Sequence, residues 1–173
     1  GDWYATYTGP TLVSGGTLSV TPYSAFSLND LTVTNAVLNL AVSGGFASAQ
    51  AASLKLAGTS AVNVNYDQLF GAPAAALNVN GGLTVSGTTT INVLGYGLTV
   101  GQFPLVDYSG TPLPNLSNFV LGALPYGVSA TLVNNAANTS IDLLVTAVSP
   151  LNMIPLMAND AFGLSSFNSG LNW

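Results

Sequence analysis

Leu31-Thr32-Val33-Thr34-Asn35-Ala36-Val37-Leu38-Asn39-Leu40 and, further on, Leu54-Lys55-Leu56 followed by Val62-Asn63-Val64 decide how the whole chain reads. Apolar and polar side chains alternate at period two, which puts Leu31 with Val33, and Leu38 with Leu40, on one face of an extended backbone. The pattern Leu-x-Val or Leu-x-Leu begins at Leu31, Leu54, Leu77 and Leu98, in steps of 23, 23 and 21 residues. A second apolar pair follows each: Leu38/Leu40, Val62/Val64, Leu83/Val85 and Phe103/Leu105. Two short strands per step predict an all-β fold, a parallel β-solenoid in which each coil covers the apolar face of its neighbour. The alternative is a β-sandwich in which the alternation recurs by chance.

The punctuation fits coils. Gly44-Gly45 and Gly81-Gly82 suit corners that need positive φ, and Asn35, Asn78 and Asn80 tolerate the same region. Asn and Thr repeated from coil to coil predict ladders of side chains that satisfy one another; ordinary hairpin turns are the alternative. The Ala-rich residues 47–56 read as a single helical turn or a loop excursion, and residues 71–76 as a turn. After Gly101 the rhythm breaks at Pro104, Pro112, Pro114 and Pro125, and strands resume at 128–133 and 140–148. Antiparallel strands capping the open last coil are expected there. The chain is thus read as one all-β domain over residues 1–173. It divides into an aromatic segment 1–16, coils 17–105, cap-like strands 106–148 and an extended tail 149–173.

Apolar residues make up 49% of the chain and charged ones only 4%, where soluble domains carry roughly 25%. Thr, Ser, Asn and Gly interrupt every apolar run, so no stretch nears the roughly 18 residues of a membrane helix, and disorder requires the opposite composition. The charges are six aspartates (Asp2, Asp30, Asp67, Asp107, Asp142, Asp160) and Lys55. Without clustered Lys and Arg there is no means of neutralising phosphate, which excludes a nucleic-acid role and a polybasic membrane contact. Absence of Cys rules out disulfides and thiolate metal sites. Gly1-Asp2-Trp3-Tyr4 has no signal-peptide character, so export implies a mature or excised form.

Residues 101–110 (Gly-Gln-Phe-Pro-Leu-Val-Asp-Tyr-Ser-Gly), 119–128 (Phe-Val-Leu-Gly-Ala-Leu-Pro-Tyr-Gly-Val), 130–135 and 140–145 together look like the closing section of a repeat region. Over residues 77–148 the chain resembles bacterial surface proteins with autotransporter-associated β-strand repeats. The resemblance implies a secreted, non-catalytic β-helical stalk within a longer polypeptide, and it brings no catalytic residues. Residues 161–173 look similar to the opening of another such module. Trp3, Tyr4 and Tyr7 near one end, and Phe162, Phe167 and Trp173 near the other, are the expected assembly contacts, since an aromatic strand can add to a sheet edge in trans. The alternative is that both ends cap their own domain.

Site chemistry is sparse. Glycoside hydrolysis needs two carboxylates across a bond, and the aspartates share no local motif. Lyase chemistry needs a base and charge-stabilising cations, of which Lys55 is the one example. Asn63-x-Asn65-x-Asp67 lacks the glycine and glutamate of a calcium loop and reads as a surface amide ladder. Sequons at Asn115 and Asn138 lie in loop-like sequence. Tyr23, Tyr66, Tyr96, Tyr108 and Tyr126, with Trp3 or Trp173, are candidates for a sugar-stacking platform. The sequence therefore predicts a non-catalytic extracellular structural protein without cofactor or metal, secreted or at the cell surface. It is expected to be a segment of a bacterial surface fibre, sheath or adhesin stalk that partners copies of itself or adjoining modules and self-assembles by terminal strand exchange. A cell-surface module that binds glycans is the alternative.

Overall fold

The structure, a computed structural model, describes residues 9–20, 27–42, 48–66 and 75–149. It is all-β among these residues. Eleven strands follow in chain order: β1 (Thr11–Val13), β2 (Thr17–Val20), β3 (Ser27–Thr34), β4 (Val37–Val42), β5 (Ala49–Tyr66), β6 (Leu77–Val79), β7 (Leu83–Gly95), β8 (Gly101–Tyr108), β9 (Phe119–Leu121), β10 (Val128–Asn135) and β11 (Ser140–Val148). Hydrogen bonds join them into one mixed sheet that does not close on itself. No helix among the described residues is long and apolar enough to cross a membrane.

Two parallel ladders dominate. One runs β1, β3, β5 and the second β2, β4, β5, because the long β5 spans both. Below β5 they continue through β6 and β7, and β7 pairs in parallel with β9. Like falls on like: Leu31 opposes Leu54, Leu38 opposes Val62, and Val62 in turn opposes Ile91. These side chains are buried, as are Val33, Leu40, Leu56, Val64 and Val93 on the same face. Each rung removes the apolar row of its neighbour from water at about 25 cal/mol per Å².

The step is not uniform. Thr17 pairs Val37 and Val37 pairs Ala61, steps of 20 and 24 residues, but Ala61 pairs Thr90, a step of 29. The reason lies between β5 and β6, where the connection is longer than that between β4 and β5. Leu54 consequently opposes Leu83, not Leu77, and Leu77 opposes Ala49. Leu98 is buried in the connection between β7 and β8 and starts no strand. The even steps expected at Leu77 and Leu98 are corrected accordingly.

Residues 49–56 are strand, not a helical turn. Ala has weak β propensity, but Ala49 and Ala51 are both buried, Ala49 opposite Leu77 of β6 and Ala51 between Leu28 of β3 and Val79 of β6. Corners also differ in detail from the expectation. Asn35 takes φ 49°, but neither Asn78 nor Asn80, nor Gly81 or Gly82, has positive φ. Gly81 is instead confined by space, because a Cβ there would run into the Ala52 carbonyl oxygen. Gly44 and Gly45 lie outside the described residues.

After Gly101 the pairing becomes mixed: β8 still pairs β6 in parallel, and β9 pairs β7 likewise, while antiparallel pairing enters with β11. β11 pairs β8 on one side and β10 on the other, both antiparallel. Phe103, Leu105, Ile141, Leu143 and Val145 extend the core beneath β6 and β7.

Candidate functional site

On the polar face of the second ladder one side-chain position repeats. Asn39 Nδ2 donates to Ser19 Oγ (3.3 Å), Asn63 Nδ2 to Asn39 Oδ1 (2.7 Å) and Asn92 Nδ2 to Asn63 Oδ1 (2.7 Å). The backbone N–H of Ala123 donates to Asn92 Oδ1 at 2.8 Å and ends the series. Every amide therefore gives a proton toward the β2 side and accepts one from the other. The register that stacks Ser19, Asn39, Asn63 and Asn92 is the one that buries Leu40, Val64 and Val93. Core and ladder thus specify the same pairing. A shallow groove of about 220 Å³ runs beside it, lined in part by Ser19, Asn39, Asn63, Asn65 and Leu94.

The ladder ends on a strand with one partner. Among the described residues β2 pairs only β4, β1 pairs only β3, and residues 9–20 carry no charge. Leu12 in β1 is 68% exposed. Natural edges are usually blunted by charge, proline or bulges, and between Thr11 and Val20 none is present.

A second polar feature lies in the antiparallel strands. Asp142 is buried and accepts hydrogen bonds from Gln102 Nε2 (2.6 Å), Asn135 Nδ2 (2.9 Å) and Ser140 Oγ (2.6 Å). These groups, with Asp107 and Asn138, line an open cleft of about 530 Å³. Burial, and after it the Asp142 carboxylate, raises the Asp107 pKa above its ordinary value. The same two causes, in the same order, hold the Tyr66 hydroxyl well above its own, and it stays a donor to the Pro104 carbonyl. No group of three or more His, Cys, Asp or Glu side chains among the described residues is placed to hold a metal. The three donors on Asp142 come from protein, so its role here is to knit β8, β10 and β11.

No family model, curated protein or solved structure matches the chain.

Trp3, Tyr4, Tyr7, Phe162, Phe167 and Trp173 lie outside the described residues, as do Tyr23, Asp2, Asp67 and Asp160. The tyrosines expected to form one platform are divided. Tyr66 and Tyr108 are buried, the latter with its hydroxyl accepting the Leu113 N–H at 2.9 Å, whereas Tyr96 and Tyr126 are exposed. Asp30 accepts from Ser53 Oγ on the next rung at 2.6 Å, a ladder contact. Of the expected amide ladder at Asn63-x-Asn65-x-Asp67, Asn63 is in a ladder, Asn65 instead faces Ala41 and Leu94 on the neighbouring strands, and Asp67 lies outside the described residues. The Asp142 nest is not anticipated in the sequence: Ser140 is a near neighbour, but the other two donors, Gln102 and Asn135, are 40 and 7 residues away.

Proposed function

We propose that the chain is a non-catalytic, extracellular structural segment of a bacterial surface fibre, sheath or stalk, a β-solenoid whose coils are the rungs described above. The observation that carries this is the asparagine ladder, which crosses four rungs in register with the buried apolar rows. Such stacking has no need of a ligand, and it is indefinitely extensible, as a stalk requires. The likeness of residues 101–145 to autotransporter-associated repeats belongs to the same reading, as do secretion and association with copies of itself or adjoining modules. Light scattering over a wide concentration range, with electron microscopy of the concentrated sample, tests it. Concentration-dependent elongated species are expected, and a strictly monomeric chain throughout would remove self-assembly.

A second reading, a cell-surface carbohydrate-binding module, has exposed Tyr96 and Tyr126 in its favour. It predicts saturable binding on a glycan array that weakens in Tyr96→Ala or Tyr126→Ala. Silence across a broad array would eliminate it.

A further inference from the structure

Asn80-Gly81 is the single Asn-Gly step in the chain. Both residues lie in the bend that joins β6 to β7. Asn80 is exposed, and its backbone N–H donates to the Ala51 carbonyl at 2.8 Å, which fixes the chain just before the bend. The Gly81 N–H has no acceptor among the described residues. No side chain shields that nitrogen, and none can be added, because a Cβ on Gly81 would run into the Ala52 carbonyl oxygen. Packing between rungs therefore holds a bare backbone nitrogen beside an exposed carboxamide. Asn115 and Asn138 are exposed as well, but the branched residues Leu116 and Thr139 follow them and crowd the equivalent approach.

We propose that Asn80 is a site of spontaneous modification, converting through a succinimide to a mixture of aspartate and isoaspartate and so weakening the joint between β6 and β7. The Gly81 nitrogen attacks Cγ of Asn80, the Cγ–Nδ2 bond breaks, and ammonia leaves with the proton that Gly81 gives up. Water then opens the cyclic imide at either carbonyl and leaves a carboxylate at position 80. Water is the only co-reactant. Opening at the main-chain carbonyl routes the backbone through Cγ and lengthens it by a methylene. That extra length falls on a bend tied to a neighbour on each side: the Gly81 carbonyl accepts the Ser109 N–H at 2.9 Å, and the Gly82 carbonyl accepts the Leu54 N–H at 3.2 Å. The isoaspartate form pulls these acceptors out of place. In a secreted structural segment the change accumulates with age, and the chemistry is the same whatever role the chain has.

The folded chain, incubated for weeks at physiological temperature and mildly alkaline pH in heavy-oxygen water, tests this. Peptide mass spectrometry locates each conversion by the mass gained when NH2 is exchanged for heavy OH, and isoaspartate methyltransferase labelling identifies the isoaspartate. Asn80 is expected to convert several-fold faster than Asn115 or Asn138 and to carry the methyl label. Asn80→Gln, first shown by circular dichroism to keep its β signal, is expected to lose that label. Converted chain, separated by its added negative charge, is expected to melt at a lower temperature than unconverted chain. Asn80 that stays intact, or converts no faster than Asn115 and Asn138, overturns the inference. Conversion in urea-unfolded chain but not in folded chain also overturns it, since the fold then protects the step. Converted and unconverted chains that melt together overturn the weakening of the joint.

Discussion

Asn63 is the rung on which the ladder can be tested most sharply, because it is bonded on both sides. Its amide nitrogen donates to Asn39 and its oxygen accepts from Asn92, both at 2.7 Å and both half-buried. Asn63→Ala removes two hydrogen bonds and leaves an oxygen of Asn39 and a proton of Asn92 without protein partners. At a net of about 0.5–1.5 kcal/mol per bond, the expected loss is about 1–3 kcal/mol. For a chain of this length the middle of that range lowers Tm by roughly 4–8 °C. Asn65→Ala is the matched comparison: it lies on the same strand, two residues on, outside the ladder. It should cost less than about 0.5 kcal/mol, as surface substitutions usually do. Urea unfolding followed by circular dichroism measures both, and the slope checks that the unfolded state is unchanged. Asn63→Asp adds a sign: a carboxylate still accepts from Asn92 but faces the Asn39 oxygen, so this variant should be weaker at neutral pH than at pH 3. Equal losses for Asn63→Ala and Asn65→Ala would refute the idea that the ladder contributes to stability.

Three further outcomes follow. Gly87 has φ 107° and a Cβ there would collide with the Gly58 carbonyl oxygen, so Gly87→Ala should cost more than about 2 kcal/mol in thermal unfolding while Gly82→Ala, facing open space, costs little. Asp142→Ala deletes a buried hub of three hydrogen bonds and should destabilise by about 3–5 kcal/mol, with hydrogen exchange rising first in β10 and β11. Asp107 is held above its ordinary pKa, so its ionised form disfavours the fold: its contribution to stability should rise as pH falls through the folded value and level off below the unfolded value near 3.8. Subtracting the Tm–pH profile of Asp107→Asn from that of the natural chain should isolate this slope, and parallel profiles would contradict it.

How much of this is legible beforehand depends on whether like residues meet like. Leu31 over Leu54 and Leu38 over Val62 follow from alternation and spacing, because each short connection keeps the next rung in phase. Past Tyr66 the longer connection shifts the phase, and Leu83 rather than Leu77 arrives beneath Leu54. Periodicity cannot foresee this, since Leu77-Asn78-Val79 carries the same alternation as Leu83-Thr84-Val85. Ala49 and Ala51 mislead for another reason: propensity describes an isolated segment, and burial against paired strands overrides it. The ladder itself is half visible. Asn39, Asn63 and Asn92 announce a repeated amide, but only the register shows that they are mutual partners and that Ser19 stands at their end.

The register also explains the composition. In a parallel stack equivalent positions recur every 4.8 Å or so, and a repeated sequence therefore brings identical side chains face to face. A column of like charges at that spacing is repelled by about 0.9 kcal/mol per pair in water and about 3.5 kcal/mol near a protein surface. A column of asparagines turns the same proximity into one hydrogen bond per rung, because an amide both donates and accepts. Hydroxyls behave likewise, as Ser60 and Thr89 show, buried with 3.1 Å between their oxygens on neighbouring strands. Lys55 fits the rule, since its neighbours in the column are Thr32 and Thr84. Asp30 meets Ser53, a donor, in its own column. The shortage of charge is thus a condition of stacking like on like, met by a surface made of amides and hydroxyls.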